Sequence, residues 1–556
     1  MTVLAVGGVR LATNTADFIA LGAYFLVVLG IGFAARRSVS SSLDFFLSGR
    51  SLPAWVTGLA FISANLGAIE LLGMAANGAQ YGIPTMHYYW VGAIPAMVFL
   101  GLVMMPFYYG ARVRSVPEYL RLRFNKPTHL SNSITFAVAS ILIAGVNLFA
   151  LALIMQGLLG WSLALSIVVA AFVVLAYTTL GGLTAAVYNE VLQFFVIVAF
   201  LVPLTVVGLV KVGGWSGLVH HVEHSKLGGE ALSAWHGTGV GSASNPFGNW
   251  LAIVFGLGFV QSFGYWTTNF AEVQRALSAK SMNAARLTPI IASWPKLLIP
   301  FFIIVPGLVA SQLIHGLGGA GAMQYNNTIP LLMAQLLPNG VLGIAMTGLL
   351  AAFMAGMAAN VSSFNTVVTY DIIEPYVKRH MPDEYYLRLG RIVTCAGVLV
   401  AIGTAFIASG YHNMMDYIQL LFSFFNAPLF ATFIIALLWK RATPWSGFAG
   451  LVAGTIGAAA AYCLNTWGVI DLGSDQAAAF WGAGVAFIAD ALVTVGVSLV
   501  TQPKPEGQLR GLVWSLTPAR CRRPPRESTE VGWYRSPAVL GGSVLAACVA
   551  LNVVFH

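Results

Sequence analysis

Four ionisable side chains, Glu70, Glu190, Lys296 and Asp490, fall inside or close to long apolar runs of a sequence whose charged residues are otherwise sparse. A charge facing lipid alone costs roughly 3 kcal/mol on insertion scales, so each must point inward or pair. Glu70 lies in residues 61–73 (FISANLGAIELLG), where an acid and the amide Asn65 flank one glycine near mid-run. Residues 261–269 (QSFGYWTTN) form a second polar, glycine-broken run. Backbone that leaves the helix inside a bilayer must be satisfied by protein, ligand or water, so interrupted segments line cavities. These residue types point to recognition of a small polar solute or ion. No nucleophile, base or metal set converges for bond-making chemistry. His87 stands alone in its region and reads as a structural group. There is no P-loop for nucleotide-driven work, and no repeated filter or charge ring suited to a channel.

The elements that must position these groups are membrane spans. The chain has 556 residues, 58% hydrophobic and 8% charged, with mean hydropathy +0.79, against about 25% charged in a soluble domain. The expected class is an all-α polytopic membrane protein. A ruler of about 20 apolar residues per crossing predicts fourteen spans, beginning near 17, 54, 84, 131, 162, 184, 248, 284, 340, 386, 415, 444, 476 and 537. The loops after spans 1, 3, 7, 9, 11 and 13 hold 24 of the 28 Lys and Arg, which predicts those loops inside and both termini outside. The net charge of +9 is therefore a matter of topology, and no nucleic-acid partner is expected. Cys395, Cys463, Cys521 and Cys548 have no paired spacing and are assigned no chemistry. The first apolar span is read as retained, because no basic segment and cleavage site precede it.

The two interrupted spans, 2 and 7, each open a block of five. An odd number of crossings inverts the second block relative to the first, which is the plan of many secondary transporters. The expected organisation is 1–53 N-terminus, first span and loop; 54–211 first block; 212–247 external loop; 248–439 inverted second block; 440–501 two peripheral spans; 502–536 basic internal linker; and 537–556 last span. In the external loop, His220, His221 and His224 could mimic a metal site but read as a solvated amphipathic segment. In the linker, Arg520, Arg522, Arg523 and Arg526 read as contacts to anionic lipid heads. Asp490, outside both blocks, is expected to have a structural partner or an interfacial place. Glu190, near the start of span 6, is read as gating or solvated.

Residues 44–53 (DFFLSGRSLP), 181–193 (GGLTAAVYNEVLQ) and 274–281 (QRALSAKS) resemble the sodium:solute symporter family, and within it the bacterial sodium/galactose and animal sodium/glucose symporters. The similarity runs from span 1 to span 13. It implies a LeuT-type 5+5 inverted-repeat core, alternating access, a bacterial-type inner membrane and symport of a small polar solute, sugar-like by preference. No obligatory protein partner is evident. By resemblance Tyr265, Trp266, Lys296 and Gln419 match the family's solute-binding residues in type. Glu70 replaces a glutamine, Tyr89 and Gly92 replace a glutamate and a serine, and Ser262, beside Gln261, replaces an asparagine. The moved acid implies a different sugar, an amine-bearing solute, or a carboxyl paired with Lys296. For the ion, the resemblance places Ser63, Leu66 and Ala352 at carbonyl positions, and Ala355 and Gly356 where the family has two hydroxyls. Three alternatives stay open: Na+ held further along by Asn360, Ser362, Ser363 and Asn365; Glu70 as a ligand for Na+ or as a carrier of H+; or an uncoupled carrier or sensor.

Overall fold

Inside hydrocarbon a chain has no water to satisfy its amides and carbonyls, so long apolar runs must fold as helices. The computed structural model describes residues 3–5, 8–10, 14–35, 41–239, 246–319, 323–338, 340–410, 414–518 and 536–556. Apart from an antiparallel hairpin, β1 (Val3–Ala5) and β2 (Gly8–Arg10), it is helical. In chain order the helices are α1 (Thr15–Ala35), α2 (Ser42–Leu47), α3 (Ala54–Asn65), α4 (Ile69–Tyr81), α5 (Ile83–Gly110), α6 (Val116–Arg123), α7 (Lys126–Leu159), α8 (Leu163–Lys211) and α9 (Gly214–Glu223). They continue as α10 (252–268), α11 (Phe270–Leu277), α12 (Met282–Leu313), α13 (Thr328–Leu336), α14 (Val341–Tyr376), α15 (Asp383–Ala408), α16 (Met414–Leu438), α17 (Ser446–Thr466), α18 (Asp475–Val500) and α19 (Pro537–Val554).

Among the described residues 11 helices are long and apolar enough to cross a membrane, or 12 when α3 and α4 count as one span bent by 56°. This is a multi-pass membrane protein, with fewer qualifying helices than the fourteen expected. The segment expected from 162 contributes a short apolar helix, Leu163–Ala176, before Gly182 breaks α8 at φ 54°. The segment expected from 248 is wound in wide π-helical turns over Ala252–Ser262, continues through Phe263–Thr268, and stops at Asn269. The linker arginines 520, 522, 523 and 526 lie outside the described residues.

Burial separates core from periphery. α14 is 89% buried over its apolar window, while α1 and α19 are buried at 17% and 22%. The most buried helix is rich in small residues, from Gly348 through Ala351, Ala352, Ala355 and Gly356 to Ala359, which lets neighbours approach closely. The three family-like stretches, far apart in sequence, converge. Leu52 and Lys280 exchange backbone bonds with residues of each other's strand-like segment, Leu52 N to Ser278 O at 3.2 Å and Lys280 N to Leu52 O at 2.8 Å. Gln274 Nε2 donates to Phe46 O and Thr366 Oγ1, both at 2.9 Å. At Gly182 a side chain would strike Phe45. Their shared spacing thus reflects one joint between α2, α8, α11 and α14.

Several polar residues outside the central site have local partners. Asp490 accepts from Thr432 Oγ1 at 2.7 Å and Thr494 Oγ1 at 2.9 Å, joining α16 to α18. His87 Nε2 lies 2.7 Å from Ala234 O, with its ring against Trp235. His220 and His221 on α9 and His224 just past its end are exposed, His220 stacked on His224, and no group of three His, Cys, Asp or Glu among the described residues is placed to hold a metal ion. Asp17 fastens the outer helix α1 to the central one: its Oδ1 accepts from Gly340 N at 2.9 Å and Gly343 N at 2.6 Å, capping α14 from outside. Asp17→Ala should strand these amides and destabilise the fold by about 1–3 kcal/mol, read as a lower apparent Tm in detergent. An unchanged Tm would show that the cap contributes nothing.

Candidate functional site

The break between α3 and α4 has a sequence cause. Residues 65–68 (NLGA) interpose an amide and a glycine in an apolar run, and Leu66 at ψ 41° leaves the helix. Ala68 N, freed by the break, donates to Asn147 Oδ1 of α7 at 2.9 Å. That carboxamide is held between two glycines, because a Cβ on Gly67 or on Gly356 would collide with Asn147 Oδ1. α4 resumes as a wide π turn, Ile69–Gly73, that carries Glu70. α5 has a matching turn, Tyr88–Ala93, carrying Tyr89, and α10 another, carrying Gln261 and Ser262. π turns inside α-helices concentrate at functional sites because the wide turn re-aims side chains, and here three of them face one another.

Around these turns lies a continuous polar network. Lys296 Nζ of α12 donates to Glu70 Oε1 at 2.6 Å and also to Asn65 Oδ1. Tyr89 donates its hydroxyl to Glu70 Oε2. The ammonium stands 4.9 Å from the Tyr89 ring centroid and 5.0 Å from that of Trp266, so its remaining surface meets aromatic faces. Asn65 Nδ2 donates to Tyr265 Oη at 3.1 Å, and Tyr265 in turn donates to Glu272 Oε1 at 3.0 Å. Further from the cavity, Arg275 grips Glu190 with two nitrogens, Nε to Oε2 at 3.2 Å and Nη2 to Oε1. Glu190 is 1% exposed and so is not solvated in this state.

Glu70, Tyr89, Gln261, Ser262, Tyr265, Trp266 and Gln419 line a common cavity of about 50 Å³, little more than one water's share of about 30 Å³. Binding anything larger requires the walls to part. Gly92 and Lys296 stand behind this lining: Gly92 makes room for Ser262 Oγ, and Lys296 holds Glu70. Gln261 gives its amide hydrogen to Ala479 O at 3.1 Å, while the amide oxygens of Gln261 and Gln419 are buried without partners. The Phe422 ring lies tilted against that of Tyr265, centroids 4.9 Å apart. A second cavity, of about 890 Å³, lies on the other side of α16: Leu420 and Ser423 face it, as do Asn465, Asp475 and Gly482.

The positions expected to hold an ion are dispersed in their engagements. Ser63 is fully buried with its hydroxyl unpartnered, and Leu66 N closes the turn onto Ile62 O and Ser63 O. Ala352, Ala355 and Gly356 are buried in α14 and offer no side-chain oxygen. Asn360 Nδ2 donates to Gly356 O at 2.8 Å and Ser363 Oγ to Asn360 O at 3.0 Å. Asn365 bonds to Thr394 and Thr369, and Ser362 accepts from Thr366 through its carbonyl. Asn147, Glu272 and Arg275 are site residues that the residue-by-residue reading passes over. The lone amide within the apolar run 141–155 (ILIAGVNLFALALIM) was the available signal for Asn147. For Glu272 there was no such signal, because α10 stops at Asn269 and helical spacing from Tyr265 does not carry across that break.

The buried Glu70–Lys296 pair is the element most open to test. Removing one partner strands a charge at about 3–5 kcal/mol, whereas replacing both with neutral groups of similar size is far milder. Lys296→Ala should therefore lower the apparent Tm in detergent much more than the double change Lys296→Met with Glu70→Gln. Thermal unfolding across the double-mutant cycle measures the coupling, and additive losses would contradict it.

The sodium:solute symporter family model matches residues 45–454. The sodium/glucose cotransporter of Vibrio parahaemolyticus is 28% identical, over 79% of this chain and 83% of its own length. Sodium/glucose cotransporter 4 of Danio rerio is likewise 28% identical, over 91% and 82%. Among solved structures, a Na+-coupled sialic acid symporter in a substrate-bound outward-open state aligns at TM-score 0.73 and 18% identity, over 88% of this chain and 99% of that one. A nucleobase-cation-symport-1 family transporter aligns at 0.51 and 16%, over 84% and 98%. These two share the fold, that of LeuT-type transporters. The chain belongs to the sodium:solute symporter family.

Proposed function

We propose that the chain is a secondary active transporter that carries a small, neutral, hydroxyl-rich solute, sugar-like in class, by cation-coupled symport. The observation that supports this most is the chemistry of the small cavity. Its one buried charge pair, Glu70 with Lys296, is internally neutral, so a charged solute would meet no net counter-charge. The two unpartnered amide oxygens of Gln261 and Gln419 are acceptors for hydroxyl donors. Tyr265, Trp266 and Phe422 offer ring faces to the apolar face of a sugar. The family and the names of the sodium/glucose relatives agree with this reading.

The 890 Å³ cavity beyond α16 serves as the access vestibule, separated from the solute site by Gln419 and Phe422. Fourteen crossings in two inverted five-helix blocks, with both termini outside a bacterial-type inner membrane, complete the reading; the basic loops support the orientation. Sodium is the coupling ion of the family, and the break at residues 66–68 is the place proposed for it. Ser63 Oγ and the second lone pair of Asn147 Oδ1 supply the side-chain oxygens that Ala355 and Gly356 lack, alongside carbonyls of Ser63, Leu66 and Ala352.

Uptake into proteoliposomes under separate sodium and proton gradients tests the proposal, using labelled neutral hexoses, amino acids and organic acids. An inward sodium gradient should drive hexose accumulation, and Tyr265→Ala should reduce uptake at least tenfold. Accumulation of an organic acid, or uptake indifferent to sodium, would overturn it. Sodium-driven accumulation that survives Glu70→Gln would exclude Glu70 as the proton carrier. Gly482 has open space where a side chain would stand, on the vestibule wall. Gly482→Trp should abolish uptake while leaving the apparent Tm near wild type; undiminished uptake would place the access path elsewhere.

A further inference from the structure

Five ionisable side chains lie buried beside and beneath the solute cavity: Glu70, Glu190, Glu272, Arg275 and Lys296, none more than 5% exposed. Two pairs account for four of them, Glu70 with Lys296 and Glu190 with Arg275. Glu272, on α11, is left over. Its Oε1 accepts the Tyr265 hydroxyl at 3.0 Å, and its Oε2 is buried with no partner. With every group ionised the cluster would hold three carboxylates against two cations, and an uncompensated buried carboxylate is among the most disfavoured arrangements in a protein interior.

One bound positive charge resolves the imbalance. A sodium ion would need several oxygens around it, but the free atom here is a single carboxylate oxygen, and Glu272 does not line the solute cavity. A proton needs one oxygen and no added room. The groups acting on Glu272 are Arg275 on its own helix, Lys296 from α12, Glu190 from α8 and the Tyr265 hydroxyl from α10. The two cations and the tyrosine hydrogen bond favour the carboxylate, while burial and Glu190 favour the proton.

We propose that Glu272 is a proton-binding carboxyl, a cation site distinct from the solute cavity and from the break at residues 66–68, linked to solute through Tyr265. The link follows from the hydrogen bonds. A solute hydroxyl that claims the Tyr265 donor removes the one bond that stabilises the Glu272 carboxylate, so solute binding strengthens proton binding, and the reverse holds by reciprocity. This site goes beyond the sodium-coupled reading and stands whichever solute is carried.

Infrared difference spectroscopy of the purified full chain across a pH titration, in sodium-free buffer and without solute, tests it directly. The expected result is a protonated-carboxyl C=O band near neutral pH that shifts in D2O, persists in Glu70→Gln and Asp490→Asn, and is lost in Glu272→Gln. In Tyr265→Phe the same band should move, which keeps the test open if Glu272→Gln does not fold. A wild-type protein with no such band, or a band indifferent to Glu272→Gln, overturns the site. A band lost in Glu272→Gln but unmoved in Tyr265→Phe overturns the link to solute. Sodium-dependent thermal stabilisation that vanishes in Glu272→Gln, with no protonated-carboxyl band, would assign the site to sodium and overturn the proton.

Discussion

A helix that stops inside a bilayer leaves backbone groups that its surroundings must satisfy, and the break at residues 66–68 imposes that demand on the rest of the core. Asn147 meets the freed amide of Ala68, and it reaches that amide because Gly67 and Gly356 leave room for its carboxamide. α14 must then approach within contact of the break, which its run of Gly and Ala permits. Asn65, the last residue before the break, takes both Lys296 and Tyr265. The positions of the ammonium, the ring and, through them, Glu70 and Glu272 are therefore set by where one helix ends.

Charge is distributed on the same plan. Two ion pairs, Glu70 with Lys296 and Glu190 with Arg275, and the hydrogen-bonding contact of His129 Nε2 with Asp371 Oδ1 at 3.0 Å each join a helix of residues 54–211 to one of residues 248–439. Buried pairs of this kind add little net stability compared with apolar packing, but removing one partner is costly. They fix which helices face each other. A cavity of about 50 Å³ bordered by such contacts has little room, and admitting a larger molecule requires some of these contacts to be exchanged for others.

Much of this was legible in the chain. Glu70 and Lys296 stand out because an acid and a lysine within apolar runs have few tolerable fates, and their pairing was among the open alternatives. The interrupted spans were visible as glycine beside amide and acid. Glu272 was not visible, because residues 270–281 (FAEVQRALSAKS) have the ordinary polarity of a loop; only the fold shows α11 tucked beneath Tyr265. Glu190 sits near a predicted boundary, where sequence cannot separate a solvated acid from one buried against Arg275. The span count is blurred for a similar reason. Gly182 and the wide turns of α10 shorten helices that hydropathy alone reads as crossings. That Gly92 leaves space for Ser262 Oγ is a contact between two helices distant in sequence, which only the fold shows.

The most direct test of the central claim, that a neutral hydroxylated solute is held beside the Glu70–Lys296 pair at the helix break, is a density map of the full chain determined with saturating sodium and its transported solute. The account predicts solute density between Tyr265 and Gln419, with the Glu70–Lys296 contact intact in its wall. Solute density elsewhere, with this cavity empty, would contradict it.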